Sequence, residues 1–161
     1  MKKILSISDA ASLAIHTMGL LAAFPEKHFS TREIAGLLNA SANHLAKVFQ
    51  RLGKEGFIVS QRGPGGGVHI RPGREKASLL DVYEALEGAW APADCLLNRP
   101  ACGKGSKSCA LGNLLRRINS DIHNTLAHTR LSDISESFQT AFNCKNTRDG
   151  ACGSHQTIRG R

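Results

Sequence analysis

Apolar residues recur at helical spacing near the start of the chain and predict a first helix over residues 8–24. Ser8 or Asp9 can cap this helix, and Pro25 ends it because proline cannot continue a helix. One stripe of the helix should be buried, comprising Leu13, Thr17, Leu20, Leu21 and Phe24. The chain therefore opens with a helix that contributes to a core.

Short helices follow, and each begins at a capping residue. Ser30 and Glu33 form a capping box, in which a hydroxyl accepts from an exposed amide while the glutamate bonds back to the backbone. Ser41 caps a third helix that runs to about Glu55, with Gly56 just past its end. Short capped helices joined by a tight turn favour a helix-turn-helix.

The third helix has an apolar face and a polar face. Its apolar side carries Leu45, Val48, Phe49 and Leu52, and its polar side carries Asn43, Lys47, Gln50 and Lys54. Asn, Lys and Gln side chains can read base edges or neutralise phosphates in a major groove. A polar face exposed only to water is the ordinary alternative for a single helix.

A glycine-tipped hairpin is predicted directly after the third helix. Residues 57–62 are rich in β-formers, residues 63–67 read Gly-Pro-Gly-Gly-Gly, and residues 68–71 alternate between apolar and polar. Glycines let a backbone approach a phosphate or a groove closely. Donors beside the turn are Arg62, His69 and Arg71. A helix-turn-helix followed by such a hairpin is a winged helix.

The rest of the chain is predicted to be helical, apart from a loop that ends near Cys109. A fourth helix starts at Ser78 and stops at Gly88, and Trp90 is expected to anchor the following loop. A long helix after the loop carries an apolar stripe of Leu111, Leu114, Leu115, Ile118, Ile122, Leu126 and Thr129. This stripe needs a partner surface. The same helix of a second subunit is our first choice, and the chain's own domain is the alternative.

The predicted fold class is mainly α with a small β-hairpin wing: a winged helix-turn-helix joined to a long dimerisation helix. A last small helix begins at Leu131, and the composition from residue 143 onward predicts a mobile tail. The predicted divisions are residues 1–76 for DNA binding, 77–142 for the cysteine loop and dimerisation helices, and 143–161 for the tail.

Cysteines in the loop are candidate ligands for a metal. Cys95, Cys102 and Cys109 recur at even spacing, and the prolines and glycines around them argue for an irregular loop in which the thiols can converge. Converging thiolates suit zinc or an iron–sulfur cluster, although the spacing fits zinc knuckles badly. Unligated thiols are the alternative. Cys144 and Cys152 are interpreted as tail thiols rather than ligands.

Charge points to a polyanionic partner for the first half of the chain. Lys and Arg exceed Asp and Glu by 21 to 13 over 161 residues. Residues 1–76 hold 11 basic and 5 acidic side chains, whereas residues 77–161 hold 10 and 8. The apolar run of residues 10–24 is too short to span a bilayer and lacks a convincing signal cleavage site. We therefore expect a cytoplasmic protein with no membrane partner.

With these motifs in place, the chain resembles the Rrf2 family of winged-helix regulators, to which IscR and NsrR belong. The resemblance rests on residues 43–47 (Asn-His-Leu-Ala-Lys), on the wing at residues 62–67 and on the three-cysteine loop. It covers Met1 to about Phe142. It implies a homodimer that binds an inverted-repeat operator in double-stranded DNA.

The same resemblance implies an iron–sulfur cluster, 4Fe–4S in preference to 2Fe–2S, held by Cys95, Cys102 and Cys109. Nitric oxide, oxygen, redox state or iron–sulfur supply would alter the cluster and so set DNA affinity. IscR-like members use a histidine shortly after the third cysteine, where this chain reads Ala-Leu-Gly-Asn. Nitric-oxide-sensing members use an aspartate near the N-terminus, which Asp9 of a partner subunit matches; capping its own helix is the alternative role. Six residues separate Cys95 from Cys102 and Cys102 from Cys109. Each of these gaps is one residue wider than expected for the IscR-like or the nitric-oxide-sensing members.

The predicted DNA-contacting residues are Thr31, Arg32, Ser41, Asn43, His44, Lys47, Gln50, Arg51, Arg62, Gly65, Gly66, His69 and Arg71. Other interpretations stay open. The same regulator could carry bare cysteines that sense oxidants, with Lys104 and Lys107 favouring a nearby thiolate. An iron–sulfur electron carrier or an enzyme is disfavoured, because the sequence offers no nucleophile–base arrangement, phosphate-cradling loop or carboxylate pair around a plausible pocket.

Overall fold

The computed structural model describes residues 7–63, 65–91, 95 and 109–146. Its helices are α1 (Asp9–Ala23), α2 (Thr31–Leu38), α3 (Ala42–Lys54), α4 (Leu79–Glu87), α5 (Ala110–His128) and α6 (Leu131–Asn146). Strands β1 (Ile58–Gln61) and β2 (Gly67–Ile70) form the hairpin, and a 3-10 turn covers Arg74–Lys76. The predicted fold class, mainly α with a β-hairpin wing after a helix-turn-helix, is confirmed.

Serine hydroxyls begin the helices at the predicted positions. In α2, the Ser30 hydroxyl accepts from the Glu33 amide at 3.2 Å, and the Glu33 carboxylate accepts from the Ser30 amide at 2.7 Å. Ser41 caps α3, and Ser78 caps α4. These bonds satisfy amides that have no partner inside their own helix, so each helix starts at a defined residue.

β1 and β2 pair in antiparallel register and are joined by the predicted glycine turn. Ile58 lies opposite Ile70, and both are buried together with Val68. Phe29, in the connection between α1 and α2, extends the sheet by exchanging backbone bonds of 3.0 and 2.8 Å with Val68. A Cβ on Gly67 would lie 2.6 Å from the Phe29 carbonyl oxygen, so only glycine fits beside this bridge.

One hydrophobic core joins the winged helix to α4 and α6, with α1 at its centre. α1 packs against α3, α4 and α6, and its fully buried side chains include Met18 and Leu21. Gly19 lets α6 approach closely, because a Cβ at this position would overlap the ring of Phe138. α1 is therefore the structural link between the winged helix and the C-terminal helices.

α6 is longer than the small final helix that the sequence predicts. It covers Leu131–Asn146 and so includes residues 143–146, which composition assigns to the tail. Phe142 explains the extension, since the centroid of its ring lies 4.8 Å from that of Phe24. The ammonium of Lys27 lies 4.7 Å from the centroid of the same ring. These contacts stabilise the helix beyond the point where its composition turns polar.

The two tail cysteines have different places relative to this helix. The backbone of Cys144 lies in the last turn of α6, whereas Cys152 lies outside the described residues with the remainder of the predicted tail. Within the described part of the chain, no helix has the length and apolar character needed to cross a membrane.

Candidate nucleic-acid interface and cysteine loop

The polar face of α3 is presented to solvent because the opposite face is buried. α3 buries its whole apolar stripe in the core, and Asn43, Lys47 and Gln50 are exposed on the other side. At the start of the helix, the exposed Ser41 accepts from the His44 amide at 3.5 Å. Amide and ammonium groups on a rigid exposed helix supply the donors and acceptors that base edges and phosphates require.

The turn between α2 and α3 sets the angle between the two helices. Asn39 ends α2 in the left-handed region with φ 49°, and the Ala40 amide donates back to the Ala35 carbonyl at 2.9 Å. Thr31 and Arg32 lie in the first turn of α2, and Arg32 is exposed. The amides and the dipole at a helix N-terminus favour an anion such as a phosphate.

The wing presents Arg62 and Gly65 at its exposed tip, and Arg71 is exposed at its base. Gly65 has φ 77°, in the left-handed region that favours glycine. Gly66 closes the turn by donating to the Gly63 carbonyl at 2.9 Å. A Cβ on Gly66 would overlap a backbone carbonyl of β1, so the turn itself requires this glycine.

His69 lies away from the tip and stacks on His28, which no motif in the sequence identifies. The rings of His28 and His69 are 4.4 Å apart between centroids and 7° from parallel. His69 is partly buried, and its Nδ1 has no hydrogen-bond partner among the described residues. Phe29 and Val68 pair in an antiparallel bridge. Because His28 precedes Phe29 and His69 follows Val68, the same bridge places the two histidines opposite each other.

Arg51 is directed toward α4. One guanidinium nitrogen donates to the Leu86 carbonyl in the last turn of α4. Arg51 follows Gln50 on α3, yet its bond joins α3 to a helix of the C-terminal half. No sequence signal could reveal this contact, because it joins residues that are 35 positions apart.

Trp90, which precedes the predicted cysteine loop, is anchored to the core as predicted. The Trp90 amide donates to the Glu84 carboxylate at 2.9 Å. The Trp90 ring lies 5.1 Å from the Tyr83 ring and 5.8 Å from the His123 ring, between centroids. These contacts join the start of the loop to both α4 and α5.

Cys95 and Cys109 fall within the described residues, and Cys102 lies outside them. Both described cysteines are partly buried and neither is in a disulfide. Cys109 is the N-cap of α5, where its Sγ accepts from the Gly112 amide at 3.3 Å. The thiolate is the form of cysteine that binds metals. This cap was missed in the sequence because cysteine is not among the usual capping residues.

Asp9, the predicted fourth ligand, is exposed at the first position of α1. Ser8 is the capping side chain: its hydroxyl accepts from the Ala11 amide at 3.0 Å and donates to Glu87 Oε1 at 2.6 Å. Across residues 7–63, 65–91, 95 and 109–146, no three His, Cys, Asp or Glu side chains gather in a way that could hold a metal ion.

α5 leaves part of its apolar stripe uncovered. Leu111 is 59% exposed and Leu114 is 50% exposed, whereas Leu126 near the end of the helix is buried. Ile118 and Ile122 are partly exposed. The early turns of α5 therefore present an apolar surface on this single chain.

Comparisons with known proteins agree with the winged-helix fold. The sequence profile of the family described as "Rrf2: Iron-dependent Transcriptional regulator" matches residues 7–137. BadM of Rhodopseudomonas palustris, named as an HTH-type transcriptional regulator, is 32% identical over 120 residues, which cover 74% of this chain and 74% of BadM. The HTH-type transcriptional regulator NsrR of Bacillus subtilis is 31% identical over 84 residues, or 52% of this chain and 58% of NsrR.

A solved structure extends the likeness to three dimensions. CymR, the global cysteine regulator of B. subtilis, superposes on this chain with a TM-score of 0.67 at 25% identity. The superposition covers 83% of this chain and 98% of CymR. The shared architecture thus includes the C-terminal helices as well as the winged helix.

Proposed function

Because the chain belongs to the Rrf2 family of transcriptional regulators, we propose that it is a cytoplasmic homodimer that binds an inverted-repeat operator in double-stranded DNA. An iron–sulfur cluster on Cys95, Cys102 and Cys109 would set its DNA affinity. The observation that carries the proposal is the exposed polar face of α3, which is followed by a glycine-tipped wing. The helix α4, which anchors Trp90 before the cysteine loop, shares a core with α3.

DNA binding would use α3 and the wing. Asn43, Lys47 and Gln50 would contact base edges and phosphates in the major groove, and Arg62 and Arg71 would contact the backbone beside it. Further contacts would come from Thr31, Arg32, Ser41, His44, Gly65, Gly66 and His69. The exposure of the α3 polar face and the basic surplus of residues 1–76 support this assignment.

Dimerisation would cover the apolar stripe of α5. Leu111 and Leu114 are large apolar side chains that are at least half exposed. A second copy of the same helix would bury both stripes at once, and a symmetric dimer matches an inverted-repeat operator. Among the described residues, those of α5 offer the largest exposed apolar side chains for such an interface.

The cysteine residues suit an iron–sulfur cluster by their chemistry. Thiolates are the preferred protein ligands of such clusters, and the Cys109 Sγ already accepts a helix N-terminal amide. When bound, the cluster supplies iron that nitric oxide, oxygen or redox change can attack. The 4Fe–4S form is favoured and the 2Fe–2S form is second. The chain's own contribution is to hold both ends of the loop, at Trp90 and at Cys109.

Asp9 of the partner subunit would supply the fourth ligand. Ser8 is the N-cap of α1, and Asp9 is the first residue of the helix. A carboxylate is a harder ligand than a thiolate and should hold iron more weakly, which suits a sensor.

Anaerobic purification followed by absorbance, iron and sulfide analysis tests the cluster directly. We expect a coloured protein that changes its spectrum on addition of nitric oxide. Cys95→Ser and Cys109→Ser should lose the colour, because a hydroxyl is a poor ligand for iron. Cys144→Ser is the matched control and should keep it. A colourless wild-type protein without iron would refute the cluster.

Mixed dimers test the source of the fourth ligand. One subunit carries Asp9→Ala and the other carries Cys102→Ser. Ligation across the interface leaves one intact site, made from the cysteines of the first subunit and the aspartate of the second. Ligation within a subunit leaves none, so a colourless mixed dimer would refute the assignment to the partner.

A thiol-based regulator without a cluster is the second candidate function. The observation that favours it is the partly buried Cys109 at the N-terminus of α5, which is outside any disulfide and accepts a hydrogen bond from the Gly112 amide. In that case the protein would contain no iron, and mild oxidation followed by thiol reduction would switch DNA binding off and on reversibly. The iron analysis above separates the two candidates.

A further inference from the structure

The last turn of α4 contacts three functionally different parts of the molecule. Its Leu86 carbonyl accepts from Arg51 of α3. Its Glu87 carboxylate accepts from the Ser8 hydroxyl at 2.6 Å, at the start of α1. Its Glu84 carboxylate accepts from the Trp90 amide at 2.9 Å, where the cysteine loop begins.

The bond from Arg51 satisfies a carbonyl that the helix itself cannot satisfy. The last four carbonyls of an α-helix lack an amide partner within the helix, and Leu86 is the residue before the final one of α4. A cation is also favoured there because the C-terminal end of a helix carries partial negative charge. The Leu86 side chain is buried, so this carbonyl is held by the core and defines where α3 is attached.

The same turn is crowded by side chains from the loop side. Burial raises the pKa of Tyr83, and the nearby carboxylates of Glu87 and Glu84 raise it further. The Tyr83 ring supports Trp90, whose ring also meets His123 of α5. A displacement of the loop at Trp90 would therefore be transmitted to Glu84 and to the backbone of the turn.

We propose that Arg51 is a positioning residue that ties the DNA-binding helix α3 to the last turn of α4, and that this turn couples the cysteine loop to the DNA-binding face. The coupling role rests on the proposed function, because it needs a cysteine site that alters DNA affinity. The attachment of α3 to the turn does not rest on a cysteine site, because its effect can be measured with DNA alone.

Reciprocity gives the proposal a direct test. If the state of the loop changes DNA affinity through this turn, then DNA binding must change the turn. Trp90 is the only tryptophan of the chain, and it lies in contact with Tyr83 and His123 at that turn. Its fluorescence therefore reports on the turn without any added label.

The first experiment titrates operator DNA into the full-length dimer while Trp90 fluorescence is recorded under selective tryptophan excitation. The wild type should show a saturable change in intensity or wavelength. Arg51→Ala should bind the DNA, as shown by anisotropy of labelled DNA, with the Trp90 change lost. Gln50→Ala is the matched control on the neighbouring position, and it should weaken binding while keeping the Trp90 change at saturation.

The second experiment measures DNA affinity before and after hydrogen peroxide, which attacks clusters and thiols alike. In the wild type we expect a ratio within the range of allosteric coupling, about 5–150-fold. Arg51→Ala and Glu87→Ala should bring that ratio close to one, and Glu87 is an exposed side chain whose loss should leave the fold intact. Gln50→Ala should lower both affinities equally and keep the ratio.

The outcomes separate this inference from the proposed function. If peroxide leaves the DNA affinity of the wild type unchanged, the sensing function is contradicted. A change in Trp90 fluorescence that depends on Arg51 would still support the attachment of α3 to the last turn of α4. A wild-type ratio that survives in Arg51→Ala and Glu87→Ala overturns the coupling role. If Arg51 only contacts DNA, Arg51→Ala lowers the DNA affinity equally before and after peroxide and leaves the change in Trp90 fluorescence intact. That result would also overturn the coupling role.

Discussion

α3 and α5 are both amphipathic helices, yet only α3 completes its packing within one chain. α3 has 13 residues and buries its entire apolar stripe. α5 has 19 residues, and Leu126 is its one large apolar side chain that is buried. Leu111 and Leu114, at the start of the same helix, are at least half exposed. The two helices therefore differ in which face is free to act.

The difference assigns opposite roles to the two faces. In α3 the core holds the apolar side in place, so the polar side is fixed in orientation and can bind a ligand with little rearrangement. In α5 the apolar side is itself the free surface, so its role depends on what covers it. The cysteine loop lies between these two helices in sequence, which makes it a natural place for control of one by the other.

Truncating the core side of α3 should produce the largest effect. Leu45 is fully buried, and Leu45→Ala should lower the free energy of unfolding by about 2–5 kcal/mol through lost transfer energy and a cavity. Urea denaturation followed by circular dichroism measures the loss. Leu114→Ala makes the same chemical change at a half-exposed site. An equal loss of unfolding free energy in the monomer would remove the contrast between α3 and α5.

Truncating the apolar side of α5 should instead affect association. Leu114 is 50% exposed in one chain. Full burial of a leucine side chain contributes ~1.5–3 kcal/mol, so each copy can still contribute about half of that energy at an interface. Leu114→Ala should weaken a symmetric dimer by about 1.5–3 kcal/mol, since the side chain is lost twice. Analytical ultracentrifugation over a concentration series measures this shift. Asn124→Ala, on an exposed polar position of α5, should leave the dimer unchanged.

The local part of the fold could be predicted from the sequence because its causes are local. Ser30, Ser41 and Ser78 each bond to an amide a few residues away, so the helix starts follow from short motifs. The two-faced character of α3 follows from its apolar spacing for the same reason. The glycine turn of the wing is likewise determined by neighbours in sequence.

The connections between elements could not be predicted, because they join residues that are far apart. Ser8 meets Glu87 across 79 positions, and Arg51 meets Leu86 across 35. His28 meets His69 only because a bridge between their neighbours sets the register. The end of α6 was also misjudged, since Phe142 packs on Phe24 and so stabilises turns that composition alone would leave unfolded.

Removing a charge from the free face of α3 should have an intermediate effect on DNA binding. Lys47 is exposed, and Lys47→Ala should weaken operator binding by about 1–3 kcal/mol if the side chain reads a base. A similar loss on random DNA would instead indicate a phosphate contact. Lys54→Ala makes the same charge change at the end of α3 and should have the smaller effect. Fluorescence anisotropy on both DNAs measures each loss.

Salt tests the same face as a whole. With several phosphate contacts per dimer, the logarithm of affinity should fall against the logarithm of salt concentration with a slope of about −4 to −8. If Lys47 contacts phosphate, Lys47→Ala should reduce the magnitude of that slope by about 0.9. A flat salt response in the wild type would contradict nucleic-acid binding altogether.

Breaking the cap that starts the helix-turn-helix should have the smallest effect, with a pH dependence of predictable sign. Ser30→Ala removes the acceptor of the Glu33 amide and should lower the free energy of unfolding by roughly 1 kcal/mol. The bond from the Ser30 amide, followed by that with its hydroxyl, lowers the pKa of Glu33 from its ordinary value of 4.5. Since the folded state lowers this pKa, the carboxylate stabilises the fold above pH 4.5, and that contribution is lost as pH falls below it.

Glu33→Gln isolates the charge, because the amide oxygen can still accept from the Ser30 backbone. Urea denaturation at neutral pH and at acid pH below the ordinary value of 4.5 should show a smaller acid destabilisation in this variant than in the wild type. The effect is a fraction of the cap energy, because Glu33 is exposed and water screens its charge. Glu26→Gln, at an exposed position in the connection before α2, is the control. An identical acid response in the wild type and in Glu33→Gln would show that the capping box acts through its geometry alone, without a contribution from charge.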